Sequence, residues 1–225
     1  MNEQEFRSKD ETGKPDIYVA IPTASEWTRE FGGSMVGLVG HFSRMAREGK
    51  IKSFRVDNLQ TSNLPKLRQT LLDRAFASGC THILWIDDDT EFPPEAVETL
   101  LSRKKPWVAV NVCKKNGDGW IAKYDGGGVV NSTGKTGIEK IGTMGLGMVL
   151  IELDAIRHIP APHFEIKWID EKRGYLGEDL YFMLKCRHAG LETWVDHDVS
   201  NTVCHVGSYG YGAHDVAADK VEEVA

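Results

Sequence analysis

The sequence predicts an α/β fold, a central mixed sheet flanked by helices. Three observations carry this. Apolar, β-branched runs alternate with helical periodicities through the first half of the chain; the second half turns to short strand-like pieces set between glycines; and 225 residues at 41% hydrophobic and 27% charged content suit one globular core.

Each element has a local reason. DIYVAIP is β-branched and apolar and stops at Pro22, as a buried first strand does. Met35, Leu38, Val39, Phe42 and Met45 then recur at helical spacing, predicting a helix over about 34–48. IKSFRV reads as a second strand ending at Asp57-Asn58. A second helix is expected over 64–78, with Leu67, Leu71, Leu72, Ala75 and Phe76 on one face and Gly79 as its stop. His82 to Ile86 forms a third strand that runs into Asp87-Asp88-Asp89. Pro93-Pro94 opens a helix through EAVETLL, where proline's fixed φ costs least, and Trp107 to Val112 is a fourth strand. This alternation implies parallel pairing.

Residues 116–147 are rich in glycine and lysine and predict hairpins or loops, with Trp120 and Tyr124 as candidate stacking rings for an acceptor or simply surface aromatics. GMVLIEL, a helix opening at Glu178-Asp179, and the strands ETWVD and TVCHV complete the fold. The expected organisation is one domain over 16–212, divided near residue 115, between flexible ends at 1–15 and 213–225.

Composition narrows the function classes. A formal net charge of -6 weighs against a protein that holds nucleic acid mainly through a basic surface. No apolar run approaches the roughly 20 residues that span a bilayer, and the polar N-terminus does not resemble a signal peptide, so a cytoplasmic location is expected, the host's if a phage encodes the chain. Cys80, Cys113, Cys186 and Cys204 form no Cys-x-x-Cys pair and read as buried thiols.

The chemistry concentrates where strands end. In an open α/β sheet, ligands bind at the carboxyl ends of the strands, and the run ILWI delivers the three aspartates to such an end. Three adjacent carboxylates repel one another unless a cation offsets them, and hard oxygen ligands suit Mg²⁺ or Mn²⁺. Alternation along an extended chain would put Asp87 and Asp89 on one side and Asp88 on the other. A solvated loop or a cap for the following helix is the competing reading. His205 ends a late strand just before Gly207, and its imidazole either completes a metal site or is an ordinary packed histidine. Glu178 and Asp179 open a helix, where an acid caps the dipole, takes a proton from an acceptor hydroxyl, or does both.

The ordered set IPTAS, LRQTLLDRAFASGCTHILWIDDDTEFPPEAVETLL, IGTMGLGMVLIELDAI, GEDLYFMLKCRHAGLETWVDHDV and CHVG resembles the GT-A glycosyltransferases, especially family 2-like and small phage-type members, from about Asp16 to Gly207. The resemblance implies a nucleotide-sugar donor, a UDP-sugar first, and Mn²⁺ or Mg²⁺ on Asp87, Asp89 and His205. By the same resemblance Asp179 is the general base of an inverting transfer, with Glu178 beside it. Pro22 and Thr23 match the loop that cups the nucleotide, and Arg68 an arginine that approaches base or phosphates. The resemblance also brings Asp57 and Asp88 to the donor site, and Gly145 in the glycine-rich IGTMGLG either lets backbone approach the sugar or acceptor or belongs to a tight turn into a strand. Two departures stand out: Gln69 replaces the asparagine that often follows that arginine, and VDNLQTSN lacks the consecutive acids expected at the second strand's end.

A nucleotidyltransferase or sugar-nucleotide pyrophosphorylase would share sheet and aspartates, but IPTASEWTREFGG lacks its basic loop. A non-catalytic nucleotide- or carbohydrate-binding module is the other alternative. The acceptor is open among saccharide, protein, lipid and modified DNA base.

Overall fold

The computed structural model describes residues 13–24, 26–115, 117–207 and 210–215, so the expected flexible ends fall largely outside the described residues. In chain order the elements are β1 (Asp16–Thr23), α1 (Arg29–Arg47), β2 (Ser53–Gln60), α2 (Leu64–Ser78), β3 (His82–Ile86), β4 (Thr90–Glu91), α3 (Ala96–Ser102), β5 (Trp107–Val110), β6 (Ile138–Lys140), β7 (Met148–Glu152), α4 (Leu153–Ile156), β8 (Lys167–Asp170), β9 (Gly174–Leu176), α5 (Glu178–His188), β10 (Trp194–Asp196), α6 (His197–Ser200), β11 (Cys204–Val206) and β12 (Gly210–Tyr211).

Seven strands form one sheet in the order β2-β1-β3-β7-β5-β10-β6. β1 pairs parallel with β2 and β3, and β5 with β10, whereas β7 runs antiparallel between β3 and β5. The expectation of parallel pairing through the first four strands is corrected at that point, because β7 from the second half inserts between the third and fourth. The sheet therefore takes strands from both sides of residue 115.

Alternation along the strands sorts their side chains into two cores. Ile17, Val19 and Ile21 face Phe31, Met35, Leu38 and Phe42 of α1 and Val97 and Leu100 of α3. Tyr18, Ala20, Ile83 and Trp85 face Leu67, Leu71 and Leu72 of α2 and Phe182 and Met183 of α5. Truncating one large member of either core, such as Trp85, would cost about 3–5 kcal/mol.

Helix ends follow side-chain caps. Thr28 Oγ1 accepts from the Phe31 amide at 3.2 Å, which starts α1 five residues before its apolar periodicity becomes visible. Asn63 caps α2 through the Lys66 amide, and Gly79 ends it in the left-handed region at φ 75°. β2 continues beyond Asp57-Asn58 to Gln60. Three cysteines are buried and Cys204 is partly so. Among the described residues, no helix is long and apolar enough to cross a membrane.

His82, at the start of β3, carries a pH signature. Its burial lowers its pKa from 6.5 to about 4, so the unfolded chain takes up the proton first. The stability it allows is complete above about pH 6.5 and is lost as pH falls from there toward 4. His82→Gln removes that dependence. Denaturant titrations on either side of this window are expected to show an acid loss smaller by about 3 kcal/mol in the variant.

Candidate active site

The aspartates do not continue β3. The Thr90 amide donates to the Asp87 carbonyl at 3.2 Å, closing a turn that sends the chain into β4, which pairs antiparallel with β11. Extended alternation is thereby overturned, and each aspartate meets different partners. Asp87 accepts from Arg68 Nη2 at 2.9 Å. The Asp88 carbonyl accepts from the Thr28 amide at the start of α1, while its buried Oδ2 has no hydrogen-bond partner. Burial, then the neighbouring charges of Asp89 and Asp87, push the Asp88 carboxyl above the usual carboxylate range.

Asp89 meets His205. The pairing of β4 with β11 sets Thr90 opposite His205, and the Val206 amide donates to the Asp89 carbonyl at 2.7 Å. His205 Nδ1 lies 2.9 Å from the Cys113 carbonyl and donates to it, which turns Nε2 toward Asp89 Oδ1 at 3.4 Å. That oxygen is buried and has no well-formed hydrogen bond. Lys115 Nζ, on a side chain nearly half exposed, lies 2.5 Å from the other oxygen. Burial works against the charge on both residues, yet the His205 and Lys115 contacts hold Asp89 below its ordinary range, and Asp89 holds His205 above its own.

Among the described residues no three His, Cys, Asp or Glu side chains form a ready-made metal cage. Asp87 is held by Arg68 at 2.9 Å. The donor set nevertheless fits a hard divalent cation of the kind held by one or two carboxylates together with substrate phosphates. An unpartnered carboxylate oxygen faces an imidazole nitrogen whose tautomer is already set by a backbone carbonyl.

Arg68 was expected at base or phosphates. It is 3% exposed, and besides Asp87 it reaches Glu178 Oε1 at 3.3 Å, leaving Nη1 buried without a partner. It therefore joins the aspartate turn to the start of α5, and Glu178 has a partner that orients it. Asp179, the next residue, accepts from the Leu180 amide at 2.6 Å and faces a cavity of about 300 Å³. Asp87, His205, Lys123 and Thr143 line the same cavity, with Val110, Val112, Ile121, Met144 and Leu146 as its apolar wall.

Glycines make room for the Asp179 carboxylate. A Cβ at Gly145 would stand 3.1 Å from Asp179 Oδ2, and one at Gly177 would stand 3.0 Å from Oδ1. Gly145→Ala is accordingly expected to keep the fold but push the carboxylate aside by a few tenths of an ångström. The chain's turnover would drop by about tenfold with an unchanged melting temperature, which steady-state kinetics and a thermal melt together would check.

The remaining candidates lie at β1 and β2. Pro22 is buried opposite Leu59, and Thr23 Oγ1 accepts from Asn58 Nδ2 at 2.6 Å and from Trp27 Nε1 at 3.2 Å. Trp27, 40% exposed at this strand end, escaped sequence reasoning, as did Lys115 and Lys123. Asp57 sits opposite Ala20, back from the strand end, hydrogen-bonded to Tyr18 and paired with Arg74 at 3.0 Å. It is not brought to the cavity. Trp120 is corrected as a stacking ring: it is 2% exposed and its indole N–H reaches Thr133 Oγ1. Tyr124 packs on the core and donates to Glu139.

No protein-family model matches the sequence, and no curated protein matches it. Solved structures do. A197 from STIV superposes with a TM-score of 0.58 at 14% identity over 94% of this chain and 98% of that one. TarS 1–349 from S. aureus, in complex with UDP-GlcNAc, has a TM-score of 0.47 at 13% identity over 80% of this chain and 55% of that one. A Drosophila β-1,4-galactosyltransferase 7 variant, in complex with manganese, UDP-Gal and xylobiose, has 0.49 at 12% over 86% and 71%. The chain thus spans about half the length of that TarS fragment. The fold is of the GT-A type, a mixed seven-stranded sheet flanked by helices.

Proposed function

We propose that the protein transfers a sugar from a nucleotide-diphosphate sugar to an acceptor hydroxyl, with inversion. The observation that carries this reading is that Asp179, Asp87 and His205, delivered by α5, the β3 end and β11, line one cavity.

Asp89 and His205 would hold the divalent cation, Mn²⁺ or Mg²⁺, on the pair of donor atoms they aim at each other. A divalent cation held there would supply positive charge to offset the charge that grows on the leaving diphosphate. The chain's own residues do the rest. Arg68 keeps Asp87 and Glu178 in fixed relation, so the aspartate turn and the start of α5 form one frame. Thr23 and Trp27, hydrogen-bonded to each other at the end of β1, would meet the nucleotide. Asp179 accepts the proton of the acceptor hydroxyl, whose oxygen bonds to the anomeric carbon as the bond from that carbon to the diphosphate oxygen breaks. The electron pair leaves with the nucleoside diphosphate. The apolar cavity wall would disfavour water in the acceptor's place.

The test begins with a thermal-shift screen of nucleotide sugars, UDP-sugars first, with Mn²⁺ and with chelator. Product analysis follows. Release of nucleoside diphosphate supports the transferase, whereas pyrophosphate release or nucleoside triphosphate consumption makes the protein a nucleotidyltransferase. Donor binding with no turnover on any acceptor makes it a binding module.

A further inference from the structure

The segment before α5 carries a feature that the donor chemistry does not use. Among the described residues β8 and β9 pair only with each other, and their register sets Trp168 opposite Tyr175. The two rings meet edge to face at 5.0 Å, yet Trp168 is 51% and Tyr175 71% exposed. Ile166, just before β8, is 52% exposed. The hairpin is rooted rather than loose: the preceding Phe164 is buried against Phe182 at 4.6 Å and Trp85 at 5.6 Å, and the His163 amide donates to Gln69. A fixed apolar face is thus held in water, and it leads through Leu176 and Gly177 directly into Glu178 and Asp179.

We infer that this face is the platform on which a neutral oligosaccharide acceptor stacks, an inference that rests on Asp179 being the base. Tyr175 lies four residues from Asp179, within about 15 Å along the chain, a reach that an oligosaccharide bridges from its stacked ring to its reacting hydroxyl. Sugar rings present apolar C–H faces that match aromatic rings, and exposed charged residues of the same segment, Glu171 and Lys172, offer partners for their hydroxyls. Charge selects among the possible occupants. Acidic and basic residues balance over 165–177, and Arg173 is already paired with Asp170 at 2.6 Å. A nucleic acid or an anionic membrane needs a cationic excess that this face lacks. A neutral glycan does not.

The test uses the full chain on an array of neutral gluco-, manno-, galacto- and N-acetylglucosamine oligosaccharides, compared with Trp168→Ala, Tyr175→Ala and Trp168→Phe. The wild type is expected to bind at least one glycan, the alanine variants to lose about tenfold or more in affinity, and Trp168→Phe to recover most of it. In transfer assays KM for that glycan rises while kcat and donor hydrolysis stay unchanged, which a merely structural role for the rings would not produce. The proposal is overturned if the wild type binds none of the glycans, if it binds them equally well without both rings, or if the rings instead support binding of DNA, a peptide or vesicles. Ring-dependent glycan binding in a protein that neither binds nor hydrolyses any nucleotide sugar would remove the transferase reading and leave the platform standing.

Discussion

Asp179→Asn is expected to lower sugar transfer by about 10²–10⁴-fold while the donor binds as before. The substitution keeps shape and removes basicity. Asparagine's oxygen still accepts from the Leu180 amide, and the side chain still fits between Gly145 and Gly177, so neither the helix start nor the cavity wall is disturbed. Only the capacity to take the acceptor proton is gone. Paired measurements of kcat and of donor affinity by thermal shift isolate that effect. An asparagine variant with wild-type turnover would mean that another group removes the proton or that the reaction retains configuration. In that case Glu178 is a poor substitute, because its carboxylate is buried on Arg68.

How much of this was readable in advance follows from the range of the forces involved. α2 was legible at both ends because its stop and its apolar face are local: Gly79 supplies the left-handed turn, and five apolar residues share one side. The start of α5 was legible for a similar reason, with acids in its first turn. The start of α1 was not, because Gly32 and Gly33 dilute the helical signal just after Thr28, and the cap outweighs them. The insertion of β7 between β3 and β5 depends on pairings across the whole chain, as Trp85 opposite Val149 illustrates, and no local pattern encodes it. The hairpin β8–β9 was hidden by charged residues and by a register shift between Trp168 and Asp170 that breaks alternation.

The site divides along the same line. The chemistry of the Asp87–Asp89 run was visible as a pattern, but its turn was not, since the turn exists to let β4 pair with β11. Arg68 was visible as a candidate, whereas its bridge to a glutamate 110 residues away is a product of the packing of α2 against α5. Trp120 was misread because its segment is irregular, and irregular segments can still fold back over a core: its bridge to Cys113 buries the indole.

Asp89→Ala is expected to abolish the extra donor stabilisation that Mn²⁺ provides and to slow transfer by about 10²–10³-fold. The reasoning starts from what the variant leaves intact. The Val206 amide bonds to the backbone carbonyl of residue 89 and not to its side chain, so β11 stays in register and His205 keeps its bond to Cys113. The loss is confined to a carboxylate that meets His205 with one oxygen and Lys115 with the other. Without it a divalent cation loses the carboxylate that faces His205 and is left beside an ammonium that repels it, while Asp87 is already engaged by Arg68. Alanine at 89 therefore separates the cation's contribution from that of the rest of the pocket. Donor melting shifts in Mn²⁺ and in EDTA should differ in the parent and coincide in the variant. Equal manganese dependence in the two proteins would place the cation elsewhere, and the Asp89–His205 pair would then be a structural clasp between β4 and β11.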